Sequence, residues 1–168
     1  NNLKALGCHV ILAGITGDDP EGESLASLVT NAGIDHCFIK DSARPTTYKL
    51  RIVAQNQHML RIDRESKHPV TASVSDALWA KIEPVLSEVD GVVVSDYAKG
   101  VVGLSLMNRL IGGAKKLNLK VCVDPKGHDY SRYRGAYMIT PNRREVGEAI
   151  QRNVDIPEEF QEAVAQLK

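Results

Sequence analysis

The chain has 168 residues, 43% hydrophobic and 25% charged, an ordinary globular composition and enough length for one sizeable core. Lys plus Arg and Asp plus Glu both number 21, a formal net charge of zero, so no overall field draws it to nucleic acid or a membrane and any anion site is local. No apolar run approaches the ~20 residues of a membrane span and no signal-peptide pattern opens the chain, so a cytoplasmic location is expected.

In chain order, Asn1-Asn2-Leu3-Lys4-Ala5-Leu6-Gly7 reads as the last turns of a helix closed by a glycine, with no visible start. Cys8 to Gly14 reads as a buried strand. It opens into Gly14-Ile15-Thr16-Gly17-Asp18-Asp19, a loop with the small and acidic residues that join strand to helix. A helix is expected from near Pro20, with Leu25, Leu28, Val29 and Ala32 on one face and a stop at Gly33; Ile34 to Ile39 is the next strand.

From Thr46 the pattern becomes strict alternation, with Tyr48, Leu50, Ile52 and Ala54 set against Thr47, Lys49, Arg51 and Val53. It resumes from His58 to Arg64 after Gln55-Asn56-Gln57. Alternation implies one solvated face, whereas parallel core strands are apolar on both. These residues, about 44–64, therefore read as a β-hairpin apart from the main sheet, suited to serve as a lid.

After a polar linker, Ser75 is the expected cap of a helix whose Leu78, Ile82, Val85, Leu86 and Val89 recur at helical spacing, with Pro84 expected to kink or divide it. Gly91 to Val94 is a strand that breaks into Ser95-Asp96-Tyr97-Ala98-Lys99-Gly100, and Leu104 to Leu117 is an amphipathic helix. Val121-Cys122-Val123 and Ala136-Tyr137-Met138-Ile139 read as buried strands ending in Asp124-Pro125-Lys126-Gly127 and Thr140-Pro141-Asn142. Helices are expected past Asn142 through Ile150 and over Glu158 to Lys168, the second without a stop signal. Strand, loop and helix alternating in this way predict a single α/β domain over residues 1–168, a mostly parallel sheet with helices on both faces.

In such a sheet ligands sit outside the carboxyl ends of the strands. Four loops qualify: Thr16 to Asp19, Asp96 to Lys99, Asp124 to Lys126, and Asn142 to Glu145. Taken singly, Asp18, Asp19 and Asp124 read first as helix-cap or turn residues. The loop at Asp96 is more informative, because it sets an acid, a phenol and the Lys99 cation together. Lys126 stands on a rigid turn, where a lysine neutralises phosphate as a point charge and a neighbouring glycine permits close backbone approach. Asn142 and Glu145, three apart at a helix start, read either as a capping pair or as the place where Glu145 helps to hold hydrated Mg²⁺ beside a nucleotide phosphate. Lys49, Arg51 and Arg61 project from the hairpin, either as solvated charge or as a clamp on an anionic substrate.

Cys8, Cys37 and Cys122 are odd in number, widely spaced and outside any CxxC pair, so buried free thiols are expected. The five histidines show no ligand spacing, and no zinc site is expected. The sequence contains no P-loop, no G-x-G-x-x-G after a strand and no G-x-S-x-G elbow.

At SDYAKG (95–100), DPKG (124–127), YRGA (133–136) and TPNRREV (140–146), the sequence resembles the ribokinase or PfkB-type sugar kinases. Within them it looks most like the bacterial kinases of D-glycero-β-D-manno-heptose 7-phosphate, whose kinase domain is often fused to a heptose 1-phosphate adenylyltransferase. The similarity extends across nearly the whole chain, including NNLKALG, GITGDD, RPTTYKLRI and NQHMLRIDRE. It implies a ribokinase-like fold with a β lid. It also implies ATP- and Mg²⁺-dependent phosphorylation of the anomeric hydroxyl of that heptose 7-phosphate, giving the 1,7-bisphosphate for the ADP-heptose of lipopolysaccharide.

By position, the resemblance assigns Asn142, Arg143, Arg144 and Glu145 to the family's N-x-x-E nucleotide and Mg²⁺ segment, with Glu145 at the metal and Lys126 as a further nucleotide-binding residue. Asp96 and Lys99 fall in the active-site loop as substrate-binding residues. Lys49 and Arg51 match the lid that covers the sugar phosphate and often mediates homodimers. The family's first strand and Gly-Gly segment are expected before Asn1, and its G-A-G-D motif, with the general base, after Lys168. The 168 residues are thus expected to be incomplete at both ends and inactive alone, with no catalytic base among them. Two other readings stand beside this one: a kinase for another phosphorylated sugar such as fructose 6-phosphate, and a non-catalytic sugar-phosphate or nucleotide-binding module on the same scaffold.

Overall fold

The computed structural model describes residues 2–55 and 57–152. The chain forms two compact units, Asn1–Ile82 and Glu83–Lys168, each with its own parallel ladder.

In the first unit a helical turn, α1 (Asn2–Ala5), leads into β1 (Ile11–Thr16), α2 (Pro20–Asn31) and β2 (Asp35–Lys40). Gly7 (φ 85) closes α1 in the left-handed conformation, with its amide on the Lys4 carbonyl and that of Cys8 on the Leu3 carbonyl. Gly33 (φ 67) closes α2 in the same way. Helix α2 starts where the sequence predicts, with Pro20 in its first turn and Asp19 as the N-cap that accepts the Gly22 amide.

Strand β1 lies further along the chain than predicted. It pairs with β2 from Ile11 opposite Asp35 to Thr16 opposite Lys40, so Gly14 sits inside the ladder, opposite Phe38, rather than ending the strand. A Cβ there would meet the Phe38 ring at ordinary contact distance, its nearest carbons 3.9 Å away. The buried face of α2 is also narrower than predicted: of Leu25, Leu28, Val29 and Ala32, only Val29 is buried, and Leu28 is 67% exposed.

The predicted hairpin is present as β3 (Tyr48–Ala54) and β4 (Gln57–Arg64), antiparallel, with Gln55 at φ 48 directly after β3. The pairs Tyr48–Arg64, Leu50–Ile62 and Ile52–Leu60 share one face, and Lys49–Asp63 and Arg51–Arg61 share the other. Beyond Ile52 the register shifts, leaving Met59 as a bulge.

Helix α3 (Ala72–Val85) starts earlier than predicted. Its cap is Thr71, not Ser75: the Thr71 hydroxyl accepts the Val74 amide at 3.4 Å and its carbonyl accepts the Ser75 amide at 3.0 Å. Pro84 lies one residue before the helix gives way to a 3₁₀ turn at Leu86–Glu88, the division that a proline predicts.

In the second unit β5 (Gly91–Ser95), α4 (Leu104–Lys116), β6 (Lys120–Asp124), a 3₁₀ turn at Ser131–Tyr133, β7 (Met138–Ile139) and α5 (Arg143–Ile150) follow in order. The sheet order is β5-β6-β7, all parallel. Helix α4 buries Leu106, Met107, Leu110, Ile111 and Ala114 along one stripe, and β6 buries Val121 and Val123 at 3% and 1% exposure. Each such large aliphatic side chain contributes roughly 1.5–3 kcal/mol. Strand β7 is shorter and more open than predicted. Only Met138 and Ile139 are in strand, and Tyr137 and Met138 are 63% and 47% exposed, because among the described residues β7 has a strand partner on one side only.

The helix predicted over Glu158 to Lys168 lies outside the described residues. The cysteines are free but not buried as predicted: Cys8 is exposed, and Cys37 and Cys122 are half-buried. Among the described residues no helix is long and apolar enough to cross a membrane.

Candidate functional site

Strands β5 and β6 end side by side, Ser95 opposite Asp124, so the loops 95–100 and 124–127 leave the sheet together. The Asp96 amide donates to the Asp124 carbonyl at 3.0 Å. Asp96 itself is 5% exposed and its carboxylate is fully engaged. Oδ1 accepts the Ala98 amide at 2.7 Å. Oδ2 accepts the Tyr133 hydroxyl at 2.6 Å and lies 3.0 Å from Arg132 Nη2. Ala98 is held at φ 53, a left-handed conformation that costs an alanine roughly 1–2 kcal/mol, and the bond to Asp96 offsets part of that strain.

Tyr133 comes from the 3₁₀ turn and is 3% exposed. Burial and the neighbouring Asp96 carboxylate push its hydroxyl up to about 12, so it stays neutral and donates. The same oxygen accepts the Lys126 amide at 3.3 Å, and Arg132 Nη2 donates to the Lys126 carbonyl. A second tyrosine, Tyr130, donates to the Glu145 carbonyl at 3.3 Å.

Lys126 reaches from the 124–127 loop to the start of α5, its ammonium 3.0 Å from Glu145 Oε1. Glu145 Oε2 accepts the Asn142 amide at 2.9 Å, and Asn142 Oδ1 accepts the Glu145 amide at 3.0 Å, a complete capping box. Burial alone would push the Glu145 carboxyl up, but the Asn142 amide and the Lys126 ammonium outweigh it and hold it below the usual carboxylate value. The Glu145 side chain is 9% exposed and that of Lys126 is 41% exposed, so the cation keeps a face to solvent.

These contacts run without a break from Asp96 through Tyr133 and Lys126 to Glu145 and Asn142. Lys99 lies half-buried in the loop pinned by Asp96. Arg143 and Arg144 are exposed on the first turn of α5, and Arg144 pairs with Glu148 one turn on at 2.8 Å.

In the first unit the equivalent strand end is a compact knot. Asp19 Oδ1 accepts the Thr46 hydroxyl at 2.6 Å, Asp19 Oδ2 accepts the Thr46 amide at 2.9 Å, and Thr46 Oγ1 accepts the Gly17 amide at 2.8 Å. The two bonds from Thr46 hold the Asp19 carboxyl below its ordinary value. Thr46 enters the hairpin two residues later, and Arg64, which ends it, lies 3.8 Å from Glu21 in the first turn of α2. Both legs of the hairpin are thus tied to the start of one helix. Lys49, Arg51 and Arg61 share the face opposite the apolar one, and Arg51 and Arg61 line an open groove of about 350 Å³ with Met59 and Leu60.

Arg132, Tyr133, Tyr130 and Thr46 have no place among the sequence-predicted site residues. Tyr133 stands 37 positions from Asp96, too far for any local pattern to signal the contact. For Thr46 a signal existed, a hydroxyl residue immediately after Pro45 at the point where hydrophobic alternation begins.

This architecture is shared with solved sugar kinases. A possible 1-phosphofructokinase from Thermotoga maritima superposes with a TM-score of 0.76, 18% identity and coverage of 98% of this chain and 53% of that one. Arabidopsis thaliana ribokinase, complexed with ribose and ATP, superposes with a TM-score of 0.62, 15% identity and coverage of 94% and 51%. The fold is ribokinase-like.

The family model described as pfkB family carbohydrate kinase matches residues 1–168, and the chain belongs to that family. The bifunctional protein HldE of Helicobacter pylori (strain Shi470) is 40% identical over 169 aligned residues, covering all of this chain and 36% of that protein. HldE of Wolinella succinogenes is 42% identical over 150 residues, 89% of this chain and 32% of that protein. The chain thus spans about a third of the length of these curated relatives.

The family implies ATP and Mg²⁺. The donor set fits a nucleotide phosphate: a partly exposed ammonium at the amino end of α5 offers an anion both charge and direction. Direct ligation of Mg²⁺ by Glu145 fits less well, because both of its oxygens are engaged; a hydrated ion there would be held through water or after release of Lys126. Among the described residues no group of three or more His, Cys, Asp or Glu is placed to hold a metal.

Proposed function

We propose that the protein is an ATP-dependent sugar kinase that phosphorylates the anomeric hydroxyl of D-glycero-β-D-manno-heptose 7-phosphate. The observation that carries this reading is the 40% identity to a bifunctional HldE protein along the whole chain. Phosphoryl transfer depends on positioning and charge stabilisation more than on covalent chemistry by the protein. When bound, ATP supplies the phosphoryl group and Mg²⁺ screens its oxygens.

In this reading Lys49, Arg51 and Arg61 hold the phosphate that the sugar already carries. Lys99, in the loop pinned by Asp96, faces the sugar. Lys126 steadies the nucleotide phosphate, and Asn142 and Glu145 fix the start of α5 beside it, with Glu145 turned to the hydrated metal and Arg143 and Arg144 at the nucleotide's edge. Residues 1–168 work as part of one kinase domain, and ATP as donor suits a cytoplasmic location.

Two partner assignments belong to the same reading. Leu50, Ile52, Leu60 and Ile62 are 38–52% exposed on one face of the hairpin, a surface suited to a second copy of the chain. The name bifunctional carried by the relatives supports a second activity in the whole protein, adenylyl transfer to heptose 1-phosphate.

³¹P NMR of the full-length protein with Mg²⁺, ATP and heptose 7-phosphate tests the proposal, with fructose 6-phosphate in parallel. A new anomeric phosphate from heptose alone is expected. Product only from fructose 6-phosphate keeps the family and overturns the substrate. Calorimetric binding of either sugar phosphate without transfer favours a binding module.

A further inference from the structure

We propose that Tyr133 is a positioning residue that locks the 95–100 and 124–127 loops into one body, so that groups meeting the sugar and groups meeting the nucleotide phosphate stay in register during transfer. The inference rests on the kinase reading and adds to it a residue outside the family segments that meet ligand.

The hydroxyl is the informative atom. A site that needed only volume would be filled by phenylalanine, whose ring packs as tyrosine's does. Here the buried hydroxyl bridges two loops, donating to Asp96 Oδ2 at 2.6 Å and accepting the Lys126 amide at 3.3 Å. On the Asp96 side the bond acts through the carboxylate on Ala98, whose left-handed backbone sets the path of the chain into Lys99. On the Lys126 side it fixes the backbone from which the ammonium extends to Glu145.

Arg132 spans the same two loops but, as a donor only, cannot replace the phenol as acceptor of the Lys126 amide. Its Nη2 is already shared between Asp96 Oδ2 and the Lys126 carbonyl, and its buried Nε has no hydrogen-bond acceptor among the described residues. Without the phenol, the two loops keep their sheet pairing and the Arg132 contacts but lose the hydroxyl that joins the Asp96 carboxylate to the Lys126 amide.

The test is Tyr133→Phe in the full-length protein, assayed with ATP and heptose 7-phosphate. Because one charge-assisted hydrogen bond is lost and the fold is kept, kcat is expected to fall about 10-fold while both KM values stay within about 2-fold. Hydrogen exchange measured by mass spectrometry is expected to speed up in peptides covering 95–100 and 124–127. Asp129→Ala is the control: the Asp129 carboxylate accepts the Ser131 amide at 2.8 Å, so its loss loosens the same 3₁₀ turn while touching neither loop. Its kcat is expected to stay within about 2-fold of wild type.

Equal losses of kcat in Tyr133→Phe and Asp129→Ala would reduce Tyr133 to a prop for the turn and overturn the inference. So would an active wild type that Tyr133→Phe matches in kcat and in exchange. A wild type that transfers phosphate to neither heptose 7-phosphate nor fructose 6-phosphate marks failure of the kinase reading itself, and the inference falls with it.

Discussion

Arg51 and Arg61 stand directly opposite one another in the antiparallel ladder of the hairpin, two like charges at neighbouring positions on one face. Such a pair opposes hairpin formation by about 0.2–1 kcal/mol, and Asp63, 3.1 Å from Arg61, offsets only part of it. An anion seated between them would offset that cost. Arg51→Gln is therefore expected to leave the thermal midpoint unchanged or slightly higher, while raising KM for the sugar phosphate about 10-fold or more and leaving KM for ATP alone. Steady-state kinetics with each substrate varied in turn decide it, and an unchanged sugar-phosphate KM would remove the hairpin from the binding site.

Glu145 links stability to pH. Its carboxyl in the folded chain is held below 4.5, so its contribution is complete above that value and is lost as pH falls through the lower folded-state value. Glu145→Gln keeps a residue suited to the capping box but removes the charge that faces Lys126. The gap in thermal midpoint between wild type and variant is expected to be full near neutrality and to close as pH falls below 4.5. Melting curves from neutrality into acid provide the check; a gap that does not change with pH would show that the Asn142 amide and the Lys126 ammonium together do not favour the charged carboxylate.

Gly17 has no room for a methyl group. A Cβ there would lie 2.6 Å from the Thr46 amide nitrogen and 2.7 Å from the Arg44 carbonyl oxygen, backbone atoms that cannot swing aside. Gly17→Ala is expected to destabilise the protein by about 1–3 kcal/mol through overpacking. Urea denaturation measures this directly, and a loss below about 0.5 kcal/mol would mean that the knot around Asp19 and Thr46 is looser than the distances imply.

Arg144 is 87% exposed in its side chain, and its visible work is a surface pair with Glu148. Arg144→Ala should cost no more than about 0.5 kcal/mol of stability. Any marked rise in KM for ATP would then report contact with the nucleotide, because the fold gives no other route to it.

Local signals account for what the sequence disclosed. Pro20 after Asp19, Glu145 three residues after Asn142, and the alternation from Tyr48 to Ala54 each fit within a few residues, and the structure contains the corresponding helix start, capping box and strand. Gly14 misled because a glycine within a parallel ladder and a glycine that ends a strand look alike until the neighbouring Phe38 is known. Leu28 misled for a different reason: periodicity identifies a face that can be buried, not whether anything covers it. The Asp96–Tyr133 bond was illegible because it depends on where separate loops meet, which only the sheet order determines.

The bulge at Met59 bears on how the hairpin tolerates insertions and deletions. Ile52 pairs with Leu60 and Val53 with His58, so Met59 is a spare residue between two stretches already in step. Losing it would leave both apolar rows facing as they do now, whereas deleting any residue between Leu60 and Arg64 would turn part of β4 inside out. Hairpins of this kind that differ in length by one residue are expected to differ at this place, where the change costs least.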